Sequence, residues 1–195
     1  MTHPENPPRL SPGDTVPPRE LTTIRSERVP VPDPDRLVHL QFRRFAGCPV
    51  CNLHLRTVAR RYDEITAAGV REVVLFHSSV RDMLPHQGAL PFDAVADPDR
   101  ELYAEFGVER GVRALLHPRV FTSPLRPRSW AVIRDGVRAG APLTGSPDGD
   151  DILGLPADFL VGSEGRILAR KYGTHADDQW SVDELLALVR GRTSA

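Results

Sequence analysis

The stretch from Leu37 to Phe76 constrains this chain more than any other part of it. Leu37-Val38-His39-Leu40-Gln41-Phe42 carries apolar residues at alternate positions, the period of a strand with one face in a core. From Pro49 to Ala68 the apolar residues Val50, Leu53, Val58, Tyr62 and Ile65 recur near the helical period, and Gly69 offers a stop. Val70 to Phe76 then reads as the apolar run of a buried parallel strand. Strand, helix and strand in this order predict a right-handed crossover, and with it an α/β sheet.

Weaker signals extend the pattern. Ser79 to His86 reads as a second helix, Phe92 to Ala96 as a strand, and Asp99 to Phe106 as a helix closed by Gly107. Leu155 to Val161 and Arg166 to Tyr172 flank the turn Gly162-Ser163-Glu164-Gly165, so they pair as an antiparallel hairpin. Ser181-Val182-Asp183-Glu184 is a capping box ahead of a terminal helix. Residues 1–35 hold nine of the nineteen prolines and read as an irregular arm, with Leu21–Ile24 and Arg28–Val31 as a short edge hairpin. Residues 36–195 read as one domain, in which 110–150, rich in Gly, Pro and Arg with only Trp130–Ile133 periodic, is an insertion or lid.

Charge excludes whole classes of partner. With 25 basic and 26 acidic residues spread evenly, there is no footprint for nucleic acid or a membrane surface. The basic residues are arginines save Lys171. The amino terminus is polar and proline-rich, and no run approaches the ~18 apolar residues of a membrane span, so a cytoplasmic location is expected.

Only two cysteines occur, in Cys48-Pro49-Val50-Cys51, between the first strand and the first long helix. A helix start presents free amides and the positive dipole end, both of which stabilise a thiolate. Pro49 suits the first helical position, and Arg43 and Arg44 stand near enough in sequence to add positive potential. Cys48 is therefore expected to ionise readily, and residues three apart share a helix face, so the pair can close a disulfide. Two other readings fit the pair: small buried hydrophobes, or half of a zinc site completed by His39, His54 or His77. His77 at a strand end and His54 one turn after Cys51 are candidates for a base or modulator. Tyr172, His175, Asp177, Asp178 and Trp180 read as a solvated loop anchored by the tryptophan.

With these segments in hand, the chain resembles the peroxiredoxin-like proteins of the alkyl hydroperoxide reductase and thiol-specific antioxidant superfamily. Leu10-Ser11-Pro12-Gly13-Asp14 resembles their entry segment, Asp97-Pro98 with Glu101 to Val108 their third helix, and Gly154 to Leu168 the last hairpin of thioredoxin-fold proteins. The resemblance implies a thioredoxin-like fold, a central mixed sheet flanked by helices, with an N-terminal extension and an insertion before the last hairpin. It implies an antioxidant thiol oxidoreductase or peroxidase with a peroxide or disulfide substrate, a thioredoxin- or glutathione-type reductant, no bound cofactor, and room for a homodimer. It makes Pro156 the candidate cis-proline facing the cysteines. It puts Cys51 at the peroxidatic position with Cys48 in place of a threonine, whereas the thioredoxin reading makes Cys48 the attacking thiol, and greater exposure at the helix start favours Cys48. The pattern also departs from the family: Arg44 stands where a proline is expected seven residues before Cys51, and no arginine precedes the final strand. A non-enzymatic redox sensor or protein-binding member of the fold is the alternative in another class.

Overall fold

A computed structural model describes residues 9–108 and 154–193. Strands β1 (Arg19–Thr22) and β2 (Arg28–Val31) form an antiparallel hairpin. There follow β3 (Leu37–Phe42), α1 (Pro49–Arg60), α2 (Tyr62–Ala67), β4 (Val70–Phe76), α3 (Val80–Gln87), β5 (Asp93–Ala96), α4 (Glu101–Glu105), β6 (Ala157–Val161), β7 (Ile167–Tyr172) and α5 (Val182–Thr193). The five longer-range strands lie in the order β5-β4-β3-β6-β7. β3, β4 and β5 run parallel, β6 runs antiparallel to β3, and β7 runs antiparallel to β6.

The expected strand, helix, strand unit is present, with β3 and β4 at the boundaries read from the sequence. The single helix expected over 49–68 is broken at Arg61, whose φ of -116° and ψ of 19° leave the helical region. Its guanidinium bonds Glu64 and Asp183, which ties the break to α5. The helix read over 99–106 is shorter, because Arg100 sits at φ 59° and the Asp97 carboxylate accepts the amides of Glu101, Leu102 and Tyr103. The Ser181 capping box forms as expected: Ser181 Oγ accepts the Glu184 amide at 3.2 Å and Glu184 Oε2 accepts the Ser181 amide at 2.7 Å. The expected insertion over 110–150 lies outside the described residues.

Both faces of the sheet are buried. One packs against the β1/β2 hairpin and α4, with Val38, Leu40 and Phe42 of β3 among Leu75, Phe106 and Phe159. The other packs against α1, α2, α3 and α5, where Leu55, Val74, Phe76, Leu160 and Leu185 meet. The one lysine, Lys171 on β7, pairs with Asp178 at 3.0 Å and donates to the Gln179 carbonyl at 3.1 Å, tying down the loop before α5. Among the described residues no helix is long and apolar enough to cross a membrane.

Candidate active site

The cysteine pair sits where β3 gives way to α1. Cys48 is the N-cap, with extended backbone (φ -61°, ψ 114°), and Pro49 occupies the first turn, where an amide proton has no helical partner. The Cys48 sulfur therefore does what a capping side chain does: it accepts the Cys51 amide at 3.5 Å. Both thiols are free, and Cys51 Sγ donates to Cys48 Sγ at 2.9 Å. The preceding loop is clamped from α1, α3 and the loop after β4. Ala46 donates its amide to Ser78 Oγ at 3.0 Å, and its carbonyl accepts from Gln87 and Asn52, each at 2.9 Å.

Neighbours separate the two thiols electrically. The Cys51 thiol hydrogen bond pulls the Cys48 pKa down to about 7 against the opposing effect of burial, helped by the Arg44 cation and the helix-start amides. The same hydrogen bond, with burial and the charge on Cys48, pushes Cys51 well above the ordinary thiol value. Exposure does not distinguish them as expected, since Cys48 is 1% and Cys51 0% exposed. The asymmetry lies in hydrogen bonding.

Of the two sequence candidates for a nearby cation, Arg44 reaches Cys48, with Nη1 4.0 Å from the sulfur. Arg43 points the other way, into the sheet face beneath α1. His54 turns its Nε2 toward Arg43 at 3.5 Å, and burial together with that cation pushes its pKa down to about 3, so it stands neutral. His77 is buried at the end of β4, with Nδ1 3.3 Å from Arg100 Nη2 and its ring edge-on to Tyr103. Gly154 passes between this ring and Arg44: a Cβ there would stand 3.4 Å from His77 Nε2 and 3.7 Å from Arg44 Cγ.

Pro156 is a correction. Among the described residues the one cis peptide is Val31-Pro32, so the Leu155-Pro156 bond is trans. The Pro156 carbonyl accepts the Gly173 amide at 2.8 Å, and the Pro156 ring fills the space a Gly173 side chain would need. Pro156 thus closes the open end of the β6/β7 hairpin.

A buried charged network beneath α1 went unread in the sequence. His39 and Gln41 of β3, Glu72 of β4, Asp158 of β6 and Arg43 meet on the sheet face that α1 and α5 cover. His39 Nδ1 bonds Glu72 at 2.9 Å and its Nε2 bonds Asp158 at 3.2 Å. Arg43 Nη2 donates to Asp158 at 2.7 Å and to Gln41 Oε1 at 2.6 Å, and Gln41 donates to Glu72. Burial alone would lower the His39 pKa, but the two carboxylates hold it up at about 9, so the ring is an imidazolium donating through both nitrogens. Burial works against Asp158 too, yet Arg43 and His39 keep its carboxyl well below the usual range. Trp180, the expected anchor of its loop, donates its amide to Asp158 at 3.1 Å. The register offered a signal: His39 lies opposite Glu72 and Gln41 opposite Asp158, placing polar residues side by side in buried strands. No group of three or more His, Cys, Asp or Glu among the described residues is placed to hold a metal ion.

Comparison with known proteins gives this site its context. The family described as AhpC/TSA antioxidant enzyme matches residues 57–175, more than half of the chain, beginning just beyond Cys51. No curated protein sequence matches. Among solved structures, peroxidoxin BcpB from Mycobacterium tuberculosis superposes with a TM-score of 0.65 at 18% identity, covering 94% of this chain and 98% of its own. AhpC from Mycobacterium tuberculosis gives 0.63 at 15% identity, covering 96% and 95%. A peroxiredoxin-like protein from Aquifex aeolicus gives 0.60 at 16% identity, covering 95% and 90%. The fold is the thioredoxin-like fold of these proteins, as the resemblance implied.

Proposed function

The chain belongs to the AhpC/TSA antioxidant enzyme family, and from that premise we propose that it reduces a hydroperoxide through a Cys48/Cys51 dithiol cycle in which Cys48 attacks and Cys51 resolves. One observation carries the assignment: the Cys48 sulfur caps α1, accepts both the amide and the thiol of Cys51, and faces the Arg44 guanidinium. The Cys51 thiol, the helix-start amides and Arg44 outweigh burial to stabilise the Cys48 anion, and the same hydrogen bond keeps the proton on Cys51. The peroxidatic placement of Cys51 is the less favoured of the two alignments on this ground.

The Cys48 thiolate attacks one peroxide oxygen, the O–O bond breaks, and the departing alkoxide or hydroxide takes a proton to leave as alcohol or water. Arg44 stabilises charge on the reacting oxygens from the position where the resemblance places a proline. Cys51, deprotonated, then attacks the Cys48 sulfenic acid, and the hydroxyl leaves as water while the disulfide forms. A dithiol reductant returns two electrons and two protons. Such a cycle suits a reducing compartment such as the cytoplasm, where the two thiols are regenerated. Pro49 supports it by starting α1 directly behind Cys48.

Single replacements test the roles. Cys48→Ser is expected to lower peroxide consumption with a thioredoxin system at least a hundredfold. Cys51→Ser is expected to consume one equivalent and stop with a sulfenic acid on Cys48, visible as a dimedone adduct by mass spectrometry. Turnover unchanged in Cys48→Ser, or an adduct on Cys51 alone, would overturn the assignment.

A further inference from the structure

Gln87 on α3 is 0% exposed, yet its side-chain amide is turned to the loop before Cys48. Its Nε2 donates one hydrogen to the Ala46 carbonyl at 2.9 Å and the other to Asn52 Oδ1 at 2.7 Å, while Asn52 Nδ2 donates to the same carbonyl at 2.9 Å. The two acceptors fix which end of the Gln87 amide is nitrogen, and its Oε1 takes no donor among the described residues. An apolar side chain would fill the space without leaving an acceptor unpaired, so packing alone does not account for a glutamine here. The carbonyl it holds is a sensitive one. Cys48 donates its amide to the Phe45 carbonyl at 3.0 Å, which closes a turn with Ala46 and Gly47 at its two central positions. The held carbonyl belongs to the peptide between them. Rotating that peptide interconverts the two common turn types, and the rotated form needs a positive φ at the third residue, which glycine supplies freely. The φ of Gly47 is not positive, so the turn stands unrotated. Past the turn, the Cys48 carbonyl accepts the Asn52 amide at 3.0 Å and the Cys48 sulfur accepts the Cys51 amide at 3.5 Å. Asn52 thus bonds the chain on both sides of Cys48.

We propose that Gln87 and Asn52 are positioning residues for Cys48: together they lock the Ala46–Gly47 peptide against rotation and so keep the Cys48 sulfur seated as the cap of α1. Rotation of that peptide re-aims the chain entering the helix and takes the sulfur off the Cys51 amide. The groups that face the Cys48 sulfur are the Cys51 thiol on α1 and the Arg44 guanidinium, and His86 of α3 stands beside Gly47. A sulfur that leaves its seat loses the helix-start amide and becomes an ordinary, weaker acid. The inference deepens the functional reading above and rests on Cys48 as the attacking thiol, but its test uses no substrate.

In a Cys51→Ser background Cys48 is the one thiol, and cysteine labelled at Cβ with carbon-13 reports its titration. Adding Gln87→Met, which keeps the length and loses the donor, is expected to raise the Cys48 midpoint by about one unit, a tenfold weaker acid. Asn52→Ala is expected to move it the same way. Gly47→Ala supplies the rescue, because a Cβ there meets its nearest neighbour at an ordinary 3.7 Å and alanine disfavours the rotated turn. Added to Gln87→Met, it is expected to recover most of the shift, which a methyl on the turn would not do for a loss of packing at residue 87. A midpoint unmoved by Gln87→Met and Asn52→Ala, or a shift that Gly47→Ala leaves in place, overturns the inference. Should Gln87→Met fail to fold, Asn52→Ala with and without Gly47→Ala decides by the same criteria. Wild-type protein that consumes no peroxide would end the functional reading and leave the titration standing.

Discussion

The two faces of β3 solve one burial problem in opposite ways. Toward the β1/β2 hairpin and α4, Val38, Leu40 and Phe42 enter an apolar cluster in which Phe42, Phe106 and Phe159 meet at ring distances of 5.0–5.6 Å. Toward α1, the intervening His39 and Gln41, followed by Arg43, are equally buried but polar, and two carboxylates from the flanking strands neutralise them. The apolar face tolerates losses one side chain at a time, because each residue contributes its own area. The charged face is less forgiving, since removing either carboxylate leaves a buried cation short of a partner. The demanding solution lies beneath the helix that carries the thiols, and it fixes Arg43 next to Arg44.

Replacing members of each face breaks or sharpens this contrast. The largest effect is expected for Asp158→Ala, which takes from buried Arg43 its carboxylate and from the His39 cation one of its two: about 3–5 kcal/mol lost in urea unfolding. A loss under about 1 kcal/mol would show that water or rearrangement satisfies the network. Leu40→Ala on the apolar face comes next, at about 2–4 kcal/mol, with the pH dependence of stability unchanged. The smallest effect is the pH dependence itself. Because the folded-state pKa of His39 is raised to about 9 from the ordinary 6.5, its contribution is complete below pH ~6.5 and is lost as pH rises through 9, about 1–3 kcal/mol in all. Asp158, held low, gives the mirror limb, its contribution lost as pH falls below the ordinary carboxylate value. Unfolding free energies across pH ~2–10 follow both limbs, and His39→Gln is expected to erase the contribution His39 makes to the alkaline one.

Much of the frame was legible because strand periodicity and apolar runs are strong local signals, and β3 and β4 begin and end where they indicate. What escaped has physical causes. The break at Arg61 costs the helix one residue, too little to disturb a hydrophobic period averaged over several turns. The network escaped because alternation was read as one face inward, whereas α1 and α5 bury the other as well, and polar residues in a buried face pair only across strands distant in sequence. Strand parity did hold the clue to the two arginines: Arg43 shares the side of His39 and Gln41, leaving Arg44 for the thiols. The cis expectation at Pro156 came from the resemblance, and the contact of Pro156 with Gly173 at the end of the hairpin is not visible in the chain order. The cysteine pair was found by motif, while the assignment of roles within it needed the hydrogen bond between the sulfurs.

The near absence of lysine also has a consequence. Every basic residue but Lys171 is an arginine, and guanidinium groups keep their protons far into the alkaline range. From neutrality to about pH 11, where lysine-rich proteins release protons from dozens of surface amines, this one has a nearly silent exterior. Proton release counted on raising the pH through this range therefore draws on the buried Cys48 thiol and His39 ring, and a simple potentiometric curve becomes a view of the core.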